Sequence, residues 1–165
     1  MIHDLIYEMM QVNTGDPKRI NHVLKMYGYA QCIAGRENVD AQTQQITLVA
    51  AVLHDIAIRY CEDTYGSCNG KLQEKHGPDI AAPILRKYTD DTALIDRVKY
   101  LIAHHHTYDN IDGIDYQIII EADFIVNFDE DNFSASAFDK LYNKYFKTQT
   151  GKQIAAAMFG QRKSK

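Results

Sequence analysis

The sequence predicts an all-α fold in a single domain spanning residues 1–165. Three observations lead there. Apolar residues recur at three- and four-residue spacing along most of the chain, as on one face of a helix. Asp16, Asp40 and Thr150 stand where helices would begin. The longest apolar stretch, "YQIIIEADFIVNF", is too long for an ordinary strand. A chain of 165 residues suits one hydrophobic core.

The elements follow in order. A short helix covers about Ile2 to Val12. "NTGDPKRI" opens the second, with Asp16 as N-cap and Pro17 at the first helical position. Ile20, Val23, Leu24, Tyr27 and Ala34 keep helical spacing, and Gly35 offers a C-terminal stop. Asp40 caps a third helix that is expected to run unbroken through "AQTQQITLVAAVLHDIAI" to about Arg59. "CEDTYGSCNGK" shows no periodicity and is expected to be a loop. "GPDIAAPILRKY" follows as a helix with Pro78 near its start and Pro83 bending it or shifting its start. "DDTALIDRVKYLIAHHH" is amphipathic, and "TYDNIDGID" is a loop. "YQIII" alone could be a strand, but the full run reads as helix. Ser134 to Phe146 places Phe138, Leu141, Tyr142 and Tyr145 on one side. Thr150 and Gln153 form a capping box for a last helix ending at Gly160.

Composition narrows the function. With 45% hydrophobic and 24% charged residues the chain is ordinary for a soluble globular protein. A net charge of -4 offers no electrostatic case for a nucleic-acid polymer as partner. The one basic cluster, the tail "QRKSK", is expected to be a frayed, solvated end. The opening "MIHDLIYEMMQVNTG" carries acids and lacks a basic segment, so no signal peptide is expected. No apolar run approaches the ~20 residues that span a membrane. Cys32, Cys61 and Cys68 are odd in number and lack C-x-x-C spacing, which argues against a disulfide framework and a structural zinc site. Reduced thiols in a cytoplasmic protein are expected.

The histidines carry the chemistry. His3 stands alone near the start of the chain. The other six lie in "RINHVLKM" (His22), "VLHDIA" (His54), "QEKHGPD" (His76) and "IAHHHTYD" (His104, His105, His106). Asp123 lies in "IIIEADFIVNF", flanked by Ile119, Ile120 and Val126. Singly, each has a plain reading: a hydrogen-bonded core histidine, a local His54–Asp55 pair, a loop residue, a polar helix end, a salt-bridged carboxylate. Together they put imidazoles and carboxylates on several apolar helices, where such groups are costly. One divalent metal would explain them at once, since it takes nitrogen and oxygen donors. His54 and Asp55, consecutive on a helix, diverge by ~100°. They could grip one ion from either side, or Asp55 could bridge two.

The ordered set His…His-Asp…Asp resembles the HD-domain superfamily of metal-dependent phosphohydrolases. The matching residues are His22 in "RINHVLKMYGYA", His54-Asp55 in "AAVLHDIAI" and Asp123 in "EADFIVNF". The resemblance implies that these four hold a first metal. It implies a second, held by His76 from "EKHGPDIAAPIL" and by His105 and His106 from "LIAHHHTYD", with His104 left over. "HGP" followed by "HT" is similar to HD-type dinucleoside tetraphosphate hydrolases. The chain departs from the pattern where several members have Gly-Lys after His-Asp: it has Ile56-Ala57. Arg59, Lys71 or Lys75 could replace that lysine against phosphate. The Gly-Tyr-Pro signature of cyclic-di-GMP phosphodiesterases is absent.

The implied activity is hydrolysis of a phosphate ester or anhydride of a nucleotide or related small molecule. One or two divalent ions (Fe, Mn, Co, Ni, Zn or Mg) would activate water. His54 and Asp55 would be the catalytic pair, and Arg19, Glu74 and Glu121 candidates for the surrounding shell. Two other readings stand beside it: a non-catalytic metal-bound regulatory module, and a di-iron oxygenase of the same fold. The oligomeric state is open, a homo-oligomer included.

Overall fold

The computed structural model describes residues 1–160. The tail "QRKSK" lies outside the described residues, and nine helices make up the rest: α1 (Ile2–Val12), α2 (Pro17–Arg36), α3 (Ala41–Leu53), α4 (Ile58–Tyr65), α5 (Gly70–Leu85), α6 (Thr92–Ile102), α7 (Ile114–Glu130), α8 (Ala135–Tyr145) and α9 (Gln149–Phe159). There is no strand among the described residues. The fold is all-α, as the periodicity predicts.

Side chains placed before the first turn set many of the starts. Asp16 accepts from the Arg19 N–H, Asp40 from Gln42 and Thr43, Asp91 from Leu94, and Ser134 from Ala137. Each satisfies donors that a helix N-terminus leaves free. The last helix departs from expectation. Its cap is Thr148, two residues before the predicted Thr150, and its hydroxyl accepts from the Gly151 N–H. Gly35 does not stop α2, which runs one residue further to Arg36.

Two larger differences surround the His-Asp pair. The helix expected to reach Arg59 ends at Leu53, and residues 54–57 form a turn. The His54 ring takes the Ala51 carbonyl at 2.9 Å, the acceptor a continuing helix would offer the Asp55 N–H. The chain tightens with Ile56 bonded to Leu53 and Ile58 to Asp55, both at 3.0 Å. The stretch expected as a loop is then largely helical. α4 lies mostly in solvent, with Cys61 its one buried residue, so it shows no apolar stripe. Gly66, at φ 72°, ends it in the left-handed conformation. α5 begins well before Pro78 and carries both Pro78 and Pro83 within it. The buried face of Gln73, Gly77, Ala81 and Ile84 against α6 outweighs the two backbone bonds the prolines omit.

α7 is the axis of the molecule. Thirteen of its 17 residues are buried, so it is enclosed on all sides rather than amphipathic. α2 and α3 pack on it and on each other, α6 covers α3, and α9 closes the far side. Phe128 meets Phe138 and Phe159 at 5.0 and 5.6 Å between ring centroids, fastening α8 and α9 to α7.

Candidate metal centre

Three elements bring four of the predicted ligands to one point. His22 comes from the second turn of α2, His54 and Asp55 from the α3–α4 turn, and Asp123 from α7. The Nε2 atoms of His22 and His54 stand 3.2 Å apart. Asp55 Oδ2 is 3.4 Å from the first and 3.3 Å from the second. Asp123 Oδ1 is 3.7 Å from His22 Nε2 and 3.9 Å from that of His54.

The two imidazoles do not hydrogen-bond each other in the ordinary way. His22 Nδ1 meets Glu130 Oε2 at 3.0 Å and His54 Nδ1 meets the Ala51 carbonyl at 2.9 Å. Each Nδ1 faces an acceptor and therefore carries the proton, which leaves both neutral Nε2 atoms with lone pairs pointing at each other. Two carboxylates point at the same place. Either a bound cation or an added proton on one ring is needed to reconcile four such acceptors. Ligands about 2.1 Å from a common centre lie about 3.0–3.4 Å apart, so the donor set fits a divalent metal ion, with Asp123 slightly withdrawn.

Electrostatics agree. Burial pulls the His54 imidazole down, but Asp55 and Asp123 overcome it and raise its pKa to about 9. Burial raises the Asp55 carboxyl, yet His54 and His105 hold it well below the usual carboxylate range. Burial dominates at Asp123, and its carboxyl is pushed up. A proton on His54 thus does, in the metal-free protein, part of what a cation would do.

A second cluster adjoins the first. His105 and His106 lie in the turn after α6, and their ligand atoms lie within 4.8 Å of one another and of an Asp55 oxygen. The His105 Nδ1 bonds the Ile102 carbonyl at 2.7 Å, repeating the arrangement of His54 on Ala51. In both cases a histidine just past a helix end takes one of the free last carbonyls, and this fixes its tautomer. His105 Nε2 is 3.7 Å from Asp55 Oδ1, so Asp55 faces both clusters with different oxygens. Burial and the neighbouring His105 lower the His106 pKa to about 4, which keeps its ring neutral and able to donate a lone pair. His104 turns away, stacking on Tyr100 at 4.3 Å.

His76 is not brought to this site, contrary to expectation. Its Nε2 meets the Tyr65 hydroxyl at 3.1 Å, and its ring lies 5.3 Å from Tyr60 and 5.5 Å from Tyr65. The reason is helical phase. With α5 starting at Gly70, Gln73 and Gly77 form its buried face, and His76 lies off that face. Gly77 permits the approach, since a Cβ there would lie 2.5 Å from Ile102 Cγ2. Gln73 occupies the place expected of His76, its Oε1 3.2 Å from His105 Nε2 and 3.3 Å from His106 Nε2.

The surrounding residues also sort differently from expectation. Glu121 is fully buried and makes its bonds away from the clusters. It accepts from Gln117 and from the Lys147 and Thr148 N–H groups, which ties the α8–α9 link to α7. Glu74 serves the site through backbone, accepting from the His106 N–H at 3.0 Å and the Thr107 hydroxyl at 2.9 Å. Arg59 binds the carbonyls of Val12 and Thr14 and so pins the α1–α2 loop instead of facing the site. Arg19 lines the cleft, held by Glu62 at 2.5 Å and Asp16 at 3.3 Å. Lys71 stands exposed in a surface depression that it shares with His106. Asn127 and Glu130 were missed. Asn127 donates to Asp123 Oδ1 at 2.9 Å, and Glu130 orients His22. Their spacing from Asp123, four and seven residues along one helix, is the signal that could have found them.

Asp55, with its side chain 22% exposed against 1% for His54, is the group through which the buried cluster meets solvent. It opens into a cleft of about 330 Å³ lined also by Lys18, Arg19, Glu62, Gln73 and Asn127.

Residues 19–142 match the family model described as the HD domain. This chain belongs to the HD-domain family. No curated protein matches it. Among solved structures it is similar to that of a predicted HD superfamily hydrolase from an uncultured Thermotogales bacterium. The identity is 25% and the TM-score 0.66, with 96% of this chain and 83% of that one covered. In this HD domain His22, His54, Asp55 and Asp123, which converge on one point, all lie within the matched residues. No helix among the described residues is long and apolar enough to cross a membrane.

Proposed function

We propose that this HD domain is a metal-dependent phosphohydrolase that cleaves a phosphate ester or anhydride, of a nucleotide or a related small molecule. The observation that carries this reading is the pair of lone-pair-bearing nitrogens, His22 Nε2 and His54 Nε2, held 3.2 Å apart beside Asp55 and Asp123. The similar Thermotogales protein is described as a predicted hydrolase, which agrees with it.

His22, His54, Asp55 and Asp123 would hold one ion, and Asp55, His105 and His106 would face another. A bound divalent ion supplies Lewis acidity, lowering the pKa of water and drawing charge from a phosphoryl group. The chain's own residues do the rest. Glu130 and the Ala51 carbonyl hold the His22 and His54 rings in the tautomer whose lone pair faces the centre. Asp55 presents one oxygen to each cluster, and through it the site reaches the cleft. Lys18 on the cleft wall carries cationic charge that can meet phosphate oxygens, and Lys71 lies in a neighbouring depression beside His106. Arg19 is already engaged by Glu62 and Asp16, so it would contact substrate only by exchanging those partners.

A cleft of about 330 Å³ suits a small molecule. Three cysteines without a disulfide suit the reducing cytoplasm. The test is a screen of manganese-loaded protein against nucleoside phosphates, dinucleoside polyphosphates and simple phosphate esters, read as released phosphate. Release that disappears with chelator and in Asp55→Ala is expected. No release from any of them, together with oxygen uptake by the iron-loaded form, would replace this reading with the oxygenase.

A further inference from the structure

Two histidines and one shared carboxylate are a thin set for a second cation. We infer that Gln73 completes it, with its amide oxygen as a ligand, and that His76 takes no part. The inference deepens the proposed function and rests on its view of the site as a metal centre.

The geometry is specific. Gln73 is a buried polar residue, 8% exposed. Its Oε1 lies between two imidazole nitrogens, 3.2 Å from His105 Nε2 and 3.3 Å from His106 Nε2. His105 Nδ1 donates to Ile102, so its Nε2 is an acceptor. Asp55 Oδ1, another acceptor, lies 3.7 Å from that same nitrogen. With the His105 ring neutral and the amide oxygen turned inward, His105 Nε2, Gln73 Oε1 and Asp55 Oδ1 converge with no donor among them, and a proton on His106 Nε2 could serve at most one of the three. This is the pattern of His22, His54, Asp55 and Asp123 repeated with an amide in place of one ionised or imidazole ligand.

The backbone is shaped for it. A Cβ at Gly70 would fall 2.8 Å from the His106 ring, and one at Gly77 would collide with Ile102. These two glycines let α5 lie close to the turn after α6, which brings Gln73 within reach.

The chemistry follows from the donors. An amide oxygen is hard and uncharged, and Asp55 must share its charge with the first site. The second site should therefore bind any given divalent ion more weakly than the first.

The test is titration of the metal-free full chain with manganese, followed by calorimetry and by the electron paramagnetic resonance of coupled ions, neither of which needs turnover. Wild type is expected to take two equivalents of unequal affinity. Gln73→Leu should keep the first and weaken the second at least tenfold, with loss of the coupled signal. Gln73→His should tighten the second, and His76→Ala should bind like wild type. Gln73→Asn keeps the amide but shortens its reach, and should weaken the second site without removing any polar group. A Gln73→Leu protein that binds two equivalents like wild type would overturn the inference. So would a second equivalent lost in His76→Ala, or a single equivalent in wild type. Two equivalents dependent on Gln73 without phosphate release would leave it standing and overturn the hydrolase.

Discussion

His22 and His54 face each other through Nε2 atoms 3.2 Å apart, each with its Nδ1 proton already directed to another acceptor. They come from residues 32 apart in sequence, one in the second turn of a helix and one just past a helix end. A pair of this kind is repulsive unless a cation stands between them or one ring takes up a second proton, and the consequences can be measured.

Removing a ligand should remove the metal. His54→Ala deletes one donor of the first cluster and should lower its metal affinity at least 100-fold while sparing the second. Asp55→Ala takes an oxygen from both clusters and should abolish both, along with any phosphate release. Metal content after gel filtration, by plasma mass spectrometry, separates the two. Full occupancy in both variants would rule out this first site.

The residues behind the ligands should matter nearly as much. Glu130→Gln removes the charge that orients His22, and Asn127→Ala removes the donor that steadies Asp123. Each should weaken metal binding about 10- to 100-fold with the fold intact. Competition with a chromophoric chelator reads this directly. Unchanged affinity in both would mean the ligands are held by packing alone.

The pH dependence should reverse between the metal-free and metal-bound protein. His54 titrates at about 9 in the fold, above an unfolded imidazole at 6.5. Its protonation therefore stabilises the metal-free protein fully below pH 6.5, and this contribution is lost as pH rises through about 9. A metal must displace that proton, so uptake should release protons and affinity should fall as pH drops below about 9. Thermal melts with and without manganese at pH 6, 8 and 10 test both slopes. Parallel slopes would contradict the assignment.

Glu121 should affect stability and leave the metal untouched. Glu121→Ala leaves the Lys147 and Thr148 N–H groups and the Gln117 amide without their buried acceptor. A loss of about 3 kcal/mol in urea unfolding is expected, with metal stoichiometry unchanged. Altered stoichiometry would return Glu121 to the site.

Most of the fold could be read along the chain because its determinants are local. Asp16, Asp40 and Ser134 cap their helices through side-chain bonds two to three residues away. The turn at His54 could not be read that way. Nothing in "VLHDIAI" breaks a helix by propensity. The break is tied to a side-chain bond back to Ala51 and to burial against α2 and α7, which are distant in sequence.

The types and order of the candidate ligands, His22, His54, Asp55 and Asp123, could be recognised along the chain because ionisable groups amid apolar residues need a partner and their order resembles that of the HD domains. Which further groups join them was decided in three dimensions. The start of α5 at Gly70, and its close approach to α6 at Gly77, set the rotation of that helix. That rotation turns Gln73 inward and sends His76 to Tyr65. A shift of three residues along one helix, invisible to composition or spacing, selects an amide over an imidazole beside His105.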